Sequence, residues 1–286
     1  MKVLNSEKQF SGLLGDYVFY TSNGRTYARS RAVAPRISRT PRLMYGRTSW
    51  SNLVNLWKAF PRDYKPVFEH RRDGTTNYNQ FISVNLPDNR IFLTKTMARN
   101  GGCVMVPCLV SDGPLCPIDL AVEGPDVVSN VELGSLVLGP DTTLQDFSVA
   151  VIRNNEGFQP GDSITHLLAV QHVDPTDGRP FVSMTGSSLR LNLSDTSLLR
   201  CHVGRSTGFG IRGGRMACTN VPLGGVVWIH SRPNSQGTAH VSRQQFYCNT
   251  QALMGQYGSD EAFARACQSY GTPAPTPFLT PNSNQG

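Results

Sequence analysis

Two β-prone segments near the N-terminus flank a dipeptide that favours a tight turn. Tyr17–Tyr20 and Thr26–Ala28 are rich in aromatic and β-branched residues, and Asn23–Gly24 lies between them. Asn-Gly is the strongest short-range signal for a two-residue hairpin loop, because both residues tolerate positive φ. The pattern therefore predicts a β-hairpin.

The following segment carries apolar residues at helical spacing. Thr40–Pro41 supplies a capping hydroxyl and a proline at the first helical position, and Pro61 ends the pattern. Trp50 and Trp57 are two helical turns apart, so we expect both to face one apolar interior. The predicted stripe consists of Leu43, Trp50, Leu53, Val54 and Trp57 and runs to Phe60.

Two further short helices are expected before residue 86. One begins after Pro61, over residues 62–70, and the other has its apolar stripe at Tyr78, Phe81 and Ile82, with Asn85. Residues 10–86 thus predict a hairpin followed by two or three helices.

After Leu86, short apolar segments alternate with Gly, Pro, Asn and Asp turns. Ser188–Leu193 alternates strictly between polar and apolar residues, as a half-buried antiparallel strand does. Short strands with regular turn signals and no helical pattern between them are typical of a β-sandwich. The candidate strands are residues 90–95, 103–110, 118–122, 132–138, 147–153, 164–172, 188–193, 225–231 and 239–247.

The predicted fold class is mostly β (α+β): an N-terminal β-hairpin plus short helices, followed by an antiparallel β-sandwich-like domain. We expect a basic hairpin-helix module at residues 1–88 and a β-rich domain at 89–255. A helix is expected within 256–270, and the Pro-, Thr- and Asn-rich residues 271–286 predict a disordered tail.

Composition excludes several classes of protein. Charged residues are 16% of the 286 and hydrophobic residues 39%, and no apolar run reaches the roughly 18 residues of a membrane span. The first residues lack an apolar signal-peptide core, which predicts a cytoplasmic protein, with the virion as an alternative. Seven cysteines, an odd number without paired metal-ligand spacing, predict free thiols and no metal site.

Charge is distributed very unevenly along the chain. Residues 17–72 contain twelve basic and two acidic residues, a net charge of +10. Residues 100–199 carry −9 from twelve acids and three bases, and residues 200–245 carry six arginines without an acid. Three interpretations stay open: the basic stretch binds an external polyanion, docks on the acidic stretch of a neighbouring copy, or is solvated surface.

A Gly-Asp-Ser sequence at Gly161–Ser163 matches the first block of the GDS-type esterases, in which the serine is the nucleophile. That chemistry needs a histidine base, usually presented from a D-x-x-H sequence, and none of the six histidines has an aspartate three residues before it. A turn leading into a strand is therefore the favoured interpretation, and hydrolysis at Ser163 the weakest of three functional hypotheses.

A second match, G-x-G-x-x-G at residues 208–213, lacks the helix that a dinucleotide site requires, because glycines and Pro222 follow it. We expect a mobile Gly/Arg loop here and no cofactor.

The N-terminal sequence resembles a Bacteroidetes family of uncharacterised proteins, classed as a domain of unknown function. The resemblance rests on G-x-x-G-D-Y-V-F-Y…N-G-R-T-Y-A-R-S-R from Gly12 to Arg31, on R-T-P at Arg39–Pro41, and on T-N-Y-N-Q-F at Thr76–Phe81. The resemblance implies a Gly-rich hairpin, an Arg/Thr-Pro helix and a β-rich C-terminal half. The usual glutamine of that helix is absent here, and the family implies no catalytic residue.

We therefore expect a non-enzymatic structural or assembly protein of phage or mobile-element type that docks through its basic N-terminal module. The expected partner is another protein or a second copy in a homo-oligomer, and no membrane. The alternative is a nucleic-acid-associated protein whose arginines contact phosphates. Arginines near the hairpin-to-helix junction are the candidate binding residues: Arg29, Arg31, Arg36, Arg39, Arg42 and Arg47.

Overall fold

The computed structural model describes residues 11–22, 25–31, 41–87, 89, 91, 93, 95–203, 208–235 and 238–249. The chain divides into two compact units, Met1–Arg39 and Thr40–Gly286. The domain boundary expected between residues 88 and 89 falls inside the second unit. The expected helix at 256–270 and the tail at 271–286 lie outside the described residues.

The first unit is a three-stranded antiparallel sheet of β1 (Gly12–Leu14), β2 (Tyr17–Ser22) and β3 (Arg25–Ser30), in that order. Ser22 pairs with Arg25, so two residues connect β2 to β3 and the predicted hairpin is confirmed. The turn residues Asn23–Gly24 themselves are outside the described part of the chain. The additional strand β1 joins β2 through Gly15, whose φ of +57° suits a residue without a Cβ.

The described residues of the second unit form four α-helices, two short 3₁₀ turns and twelve strands. The helices are α1 (Pro41–Ala59), α2 (Asn77–Asn85), α3 (Lys95–Arg99) and α4 (Leu144–Asn154), and the 3₁₀ turns are Arg62–Tyr64 and Leu199–Cys201. The strands are β4 (Val67–Phe68), β5 (Leu109–Asp112), β6 (Leu120–Glu123), β7 (Asp126–Glu132), β8 (Ser163–Val173), β9 (Pro180–Arg190), β10 (Phe209–Arg212), β11 (Arg215–Cys218), β12 (Gly224–Pro233), β13 (Ala239–Val241), β14 (Gln244–Gln245) and β15 (Tyr247–Cys248).

A five-stranded sheet forms the centre of this unit. Its order is β13-β12-β8-β9, with β15 also paired to β12. Successive side chains of a strand point to opposite faces, so each buried strand contributes side chains to two hydrophobic cores, one on each face of the sheet. Leu167 and Ala169 of β8 pack with α1 and α2, whereas Ile164 and Leu168 pack with α4 and the sheet β10-β11-β7-β6. A small sheet, β14-β5-β4, borders the helical side.

Helix α1 confirms the predicted helix but not the expected position of both tryptophans. Trp57 packs against Tyr78 and Phe81, with ring centroids 5.4 and 5.5 Å away. Trp50 is 48% exposed, so it does not share that interior. The buried face of α1 instead runs through the polar residues Ser49 and Asn52, which an apolar pattern overlooks. Helix α2 confirms the helix expected around residues 78–85.

Several local predictions were wrong. Residues 147–153 form α4, because Thr143 and Asp146 make a capping box and the buried positions Leu144, Phe147 and Val151 follow the helical period. The helix expected after Pro61 is one 3₁₀ turn followed by β4. Strand boundaries also moved: β7 ends where the candidate strand 132–138 began, and β9 starts eight residues before Ser188. Only the last two residues of the candidate strand 103–110 belong to a strand, β5, and the candidate strand 239–247 is three short strands. Of the candidate strand 90–95, the described residues 91 and 93 belong to no strand, and Lys95 begins α3.

The observed fold class nevertheless agrees with the prediction. The protein is mostly β, with largely antiparallel sheets and few helices, which makes it α+β. In the described part of the chain, no helix combines the length and hydrophobicity needed to cross a membrane.

Candidate functional site

The exposed sheet of the first unit is the candidate site. On β3, Arg25, Tyr27 and Arg29 alternate with the intervening residues and so share one face. Tyr20 of β2 is the cross-strand partner of Tyr27, and their stacked rings have centroids 5.5 Å apart. All six residues of β3 are exposed. On this face, therefore, one arginine lies on each side of the aromatic pair.

The opposite face of the same sheet is also open. Leu14, Tyr17 and Ser30 form one cross-strand row there, and Leu14 and Tyr17 are 64% and 55% exposed. Among the described residues of this unit, none is buried. Exposed aromatic and apolar side chains in a small sheet are typical of a surface that a partner covers.

The structure places some of the six predicted binding residues in this sheet. Arg29 and Arg31 are exposed, at and just beyond the end of β3, and the backbone N–H of Arg31 donates to the Asp16 carbonyl. Arg36 and Arg39 lie outside the described residues.

The other two predicted residues, Arg42 and Arg47, belong to α1 in the second unit. Arg47 is half-buried there. Arg25 was missed as a candidate, although the alternation of Arg25, Tyr27 and Arg29 in the sequence would have placed it on the face of Arg29 once β3 was recognised.

Ion pairs within the second unit use several of its arginines and acids. Arg212 bridges Glu123 and Asp126, at 3.4 and 2.7 Å, and Arg215 binds Glu123 as well. Ion pairs thus occupy six of the twelve acids of residues 100–199: Asp112 with Arg243, Glu123 with Arg212 and Arg215, Asp126 with Arg212, Asp162 with Arg232, and Asp174 and Asp177 with Arg179. Most of the arginines of residues 200–245 are therefore used within the fold.

Asp162 of the Gly-Asp-Ser sequence is a buried structural anchor. Its carboxylate accepts hydrogen bonds from Arg232 Nε and Nη2, at 2.7 and 2.8 Å, and lies 2.8 Å from His230 Nε2. Burial by itself would raise the pKa of Asp162, but the bonds from Arg232, the Gln159 N–H and His230 lower that pKa below its ordinary value. His230 is thus bonded to the aspartate, and among the described residues no histidine bonds to the Ser163 hydroxyl.

Two other serines contact histidines, but neither contact has the order of a catalytic triad. Ser183 Oγ is 2.7 Å from His172 Nε2, and within the described residues no carboxylate bonds to that ring. Ser197 donates to Asp195 and also lies 2.6 Å from His202 Nε2. Because the serine proton goes to Asp195, His202 is not placed to accept it.

The G-x-G-x-x-G segment is a β-hairpin and not the loop expected from the sequence. Phe209–Arg212 and Arg215–Cys218 are the paired strands β10 and β11, and Gly213 and Gly214 make the turn with φ of +56° and +73°. Positive φ at both central residues is typical of a two-residue hairpin turn and is adopted by glycine without steric cost.

A groove of about 1000 Å³ lies at one end of the central sheet. Thr165 and Ser231 of the sheet line it, together with Arg72 and His240. Glu69 accepts from His240 Nδ1 at 2.7 Å and from the Val241 N–H, which fixes the histidine ring at the rim. The groove has mixed charge, with Asp63 and Asp73 also on its wall.

The six cysteines in the described residues are all free. Burial raises the pKa of Cys103 to about 11 and that of Cys218 to about 12, so both thiols stay protonated. No three His, Cys, Asp or Glu side chains within the described ranges come together as metal ligands.

Comparison of the chain with protein-family models, curated proteins and solved structures finds no match. The resemblance to the Bacteroidetes family stays a prediction, and functional inference depends on the site geometry.

Proposed function

We propose that this chain is a non-enzymatic assembly protein that docks on an acidic protein surface through its N-terminal sheet. The single observation that carries the proposal is the face of β2 and β3 on which Arg25 and Arg29 flank the stacked Tyr20–Tyr27 pair. Arginine and tyrosine, together with tryptophan, are the residue types most enriched at protein–protein hot spots.

The charge distribution supports an external partner for this face. Within the described residues, Arg25, Arg29 and Arg31 form no ion pair, whereas Arg212, Arg215 and Arg232 are bonded to carboxylates of their own unit. The partner's carboxylates would supply the counter-charges that the N-terminal arginines lack.

The exposed apolar side chains favour a protein partner over a partner that binds by electrostatic attraction alone. Leu14 and Tyr17 on the second face can be covered by a protein surface, and their burial would add a hydrophobic contribution that salt does not screen.

Single-stranded nucleic acid is the second candidate, and the same tyrosine pair favours it. Bases stack on exposed aromatic rings, and arginines beside the rings contact phosphates. The two candidates differ in what Tyr27 contributes, since base stacking requires its ring.

Binding of the full chain to two polyanions, poly-L-glutamate and oligo-dT, tests the proposal. Reversal of both arginines in Arg25→Glu/Arg29→Glu should abolish binding, and the matched control Arg99→Glu/Arg153→Glu, with the same net charge and two exposed positions elsewhere, should retain it. The melting temperature should change little in either variant, because exposed charges contribute little to folding.

The outcome separates the candidates. Binding to poly-L-glutamate that weakens with salt and requires Arg25 and Arg29 supports docking on acidic protein. Tighter binding to oligo-dT that is lost in Tyr27→Ala supports the nucleic-acid alternative. Equal loss in the control variant, or no binding to either polyanion at low salt, would overturn both.

A further inference from the structure

The longest open sheet edge of the second unit is β9. This strand has eleven residues, pairs with β8 over its whole length without a bulge, and has no strand on its other side among the described residues. Unprotected edges of this kind are rare, because their free N–H and C=O groups template the pairing of another strand.

The hydrogen bonds at both ends of β9 show which backbone groups face outward. In an antiparallel strand the N–H and C=O of one residue point to the same side, and successive residues alternate. The Pro180 carbonyl accepts from the Cys103 N–H, on the side away from β8, whereas the Leu191 N–H donates to Asp162 at the β8 side. Even-numbered residues of β9 therefore direct their backbone groups outward.

Four of these residues have no backbone partner within the described part of the chain: Met184, Gly186, Ser188 and Arg190. Their N–H and C=O groups form a continuous row beyond the segment at Cys103 that covers the start of the strand. By contrast, the edge strand β13 is only three residues long and is covered, since Glu69 accepts from the Val241 N–H and Leu115 donates to the Val241 carbonyl.

The edge also lacks the devices that normally block pairing. From Pro180 to Leu189 there is no charged side chain, and proline occurs only at the first position. Lysine, internal proline and bulges are the usual protections. Arg190, at the far end, is the single charge.

We propose that β9 pairs with β9 of a second copy of this chain around a two-fold axis at Ser187. In this register Met184 lies opposite Arg190 of the second copy, and Gly186 lies opposite its Ser188. The register pairs the outward N–H and C=O groups of Met184, Gly186, Ser188 and Arg190 in both strands, and no two arginines lie opposite each other. This self-complementarity, required of a two-fold interface, favours a second copy over an unrelated peptide. The inference does not depend on the N-terminal sheet.

Blocking one outward N–H tests the pairing. Ser188→Pro removes an N–H that β8 does not use, and edge strands tolerate proline at such positions. The matched control Ser188→Ala loses the same side-chain contact to Thr165 Oγ1 but keeps the N–H. By sedimentation, wild type and Ser188→Ala should be dimers, and Ser188→Pro should have half their mass with a similar melting temperature.

A cross-link tests the register independently of any folding defect in the proline variant. The two Ser187 residues would form a non-hydrogen-bonded pair, with Cα atoms about 4.5 Å apart, within the range of a disulfide. Ser187→Cys should therefore give a covalent dimer on mild oxidation. In the control Thr185→Cys, on the same face, the two thiols would be separated by about four residues of strand, roughly 13 Å, and should not join.

A monomeric wild type, a dimer that persists in folded Ser188→Pro, or equal cross-linking of Ser187→Cys and Thr185→Cys would overturn the proposal. Dissociation of the dimer by Arg25→Glu/Arg29→Glu would also overturn it, because self-association would then depend on the N-terminal sheet.

Discussion

Asn52 on α1 bonds twice to the backbone of Val104. The Val104 N–H donates to Asn52 Oδ1 at 2.7 Å, and Asn52 Nδ2 donates to the Val104 carbonyl at 3.0 Å. One turn along the helix, Asn55 donates to the carbonyls of Ala98 and Gly102, both at 2.8 Å. Buried amides of α1 thus satisfy backbone groups of residues 98–104, none of which lies in a strand.

Replacing this amide should be costly. In Asn52→Leu the buried N–H and C=O of Val104 lose their partners, and each unsatisfied group costs about 1–3 kcal/mol. We expect the free energy of unfolding in urea to fall by about 3 kcal/mol. The control Asn79→Leu, at an exposed position of α2, should change it little. Equal effects would show that the Asn52 bonds are not important for stability.

The two tryptophans of α1 should differ in their effect on stability. Trp57 packs in an aromatic cluster with Tyr78 and Phe81, so Trp57→Ala should cost about 3 kcal/mol. Trp50 is 48% exposed, and Trp50→Ala should stay within about 0.5 kcal/mol of wild type. Thermal unfolding followed by circular dichroism measures both. A large loss in Trp50→Ala alone would contradict this assignment.

Acid should destabilise the protein through a buried histidine. His166 stacks on Trp228, and neither ring nitrogen has a hydrogen-bond partner within the described residues. Burial lowers the pKa of His166 from 6.5 to about 4, and burial also lowers the pKa of His230 despite its bond to Asp162. Between pH 6.5 and about pH 4 the unfolded chain binds a proton at His166 that the folded protein excludes. Stability therefore falls as the pH drops from 6.5 towards 4.

We expect His166 to account for about 3 kcal/mol of this loss, the free-energy equivalent of a pKa lowered from 6.5 to about 4. His166→Phe, which keeps an aromatic ring beside Trp228, should flatten the pH dependence of urea unfolding over this range and leave the part due to His230. An unchanged profile in His166→Phe would show that His166 does not control the acid sensitivity.

The ion pair at Asp162 should contribute more to the stability of the fold than the ion pairs at the surface do. Arg232→Met leaves the buried carboxylate of Asp162 without its guanidinium, and breaking a buried pair costs about 3–5 kcal/mol. Arg243 is 65% exposed beside Asp112, so Arg243→Met should cost less than about 1 kcal/mol. Denaturant unfolding of the two variants makes the comparison, and similar losses would show that burial of Asp162 does not set the strength of its pair.

Local sequence signals were sufficient to predict those elements whose structure depends mainly on their own residues. The Asn-Gly dipeptide predicted the hairpin of β2 and β3 because a two-residue loop is a property of the turn itself. Helices α1 and α2 followed from apolar spacing, and the mostly β class followed from short strands with frequent turns.

The same signals failed where distant partners decide the structure. Three β-branched residues, Val149, Val151 and Ile152, favour a strand at residues 147–153. The Thr143 cap and packing against both sheets of their core outweigh that preference, and the residues form α4. Asn52 is polar, and only the position of Val104 explains its burial.

The arginines illustrate what only tertiary structure could decide about the candidate site. By sequence alone, residues 17–72 and 200–245 are both basic stretches. The fold brings Arg212, Arg215 and Arg232 against acids about 70 to 90 residues away in the chain, and it leaves Arg25 and Arg29 exposed beside two tyrosines. Sequence thus determined where charge is concentrated, but Coulomb attraction depends on distance in space, and the fold alone sets that distance.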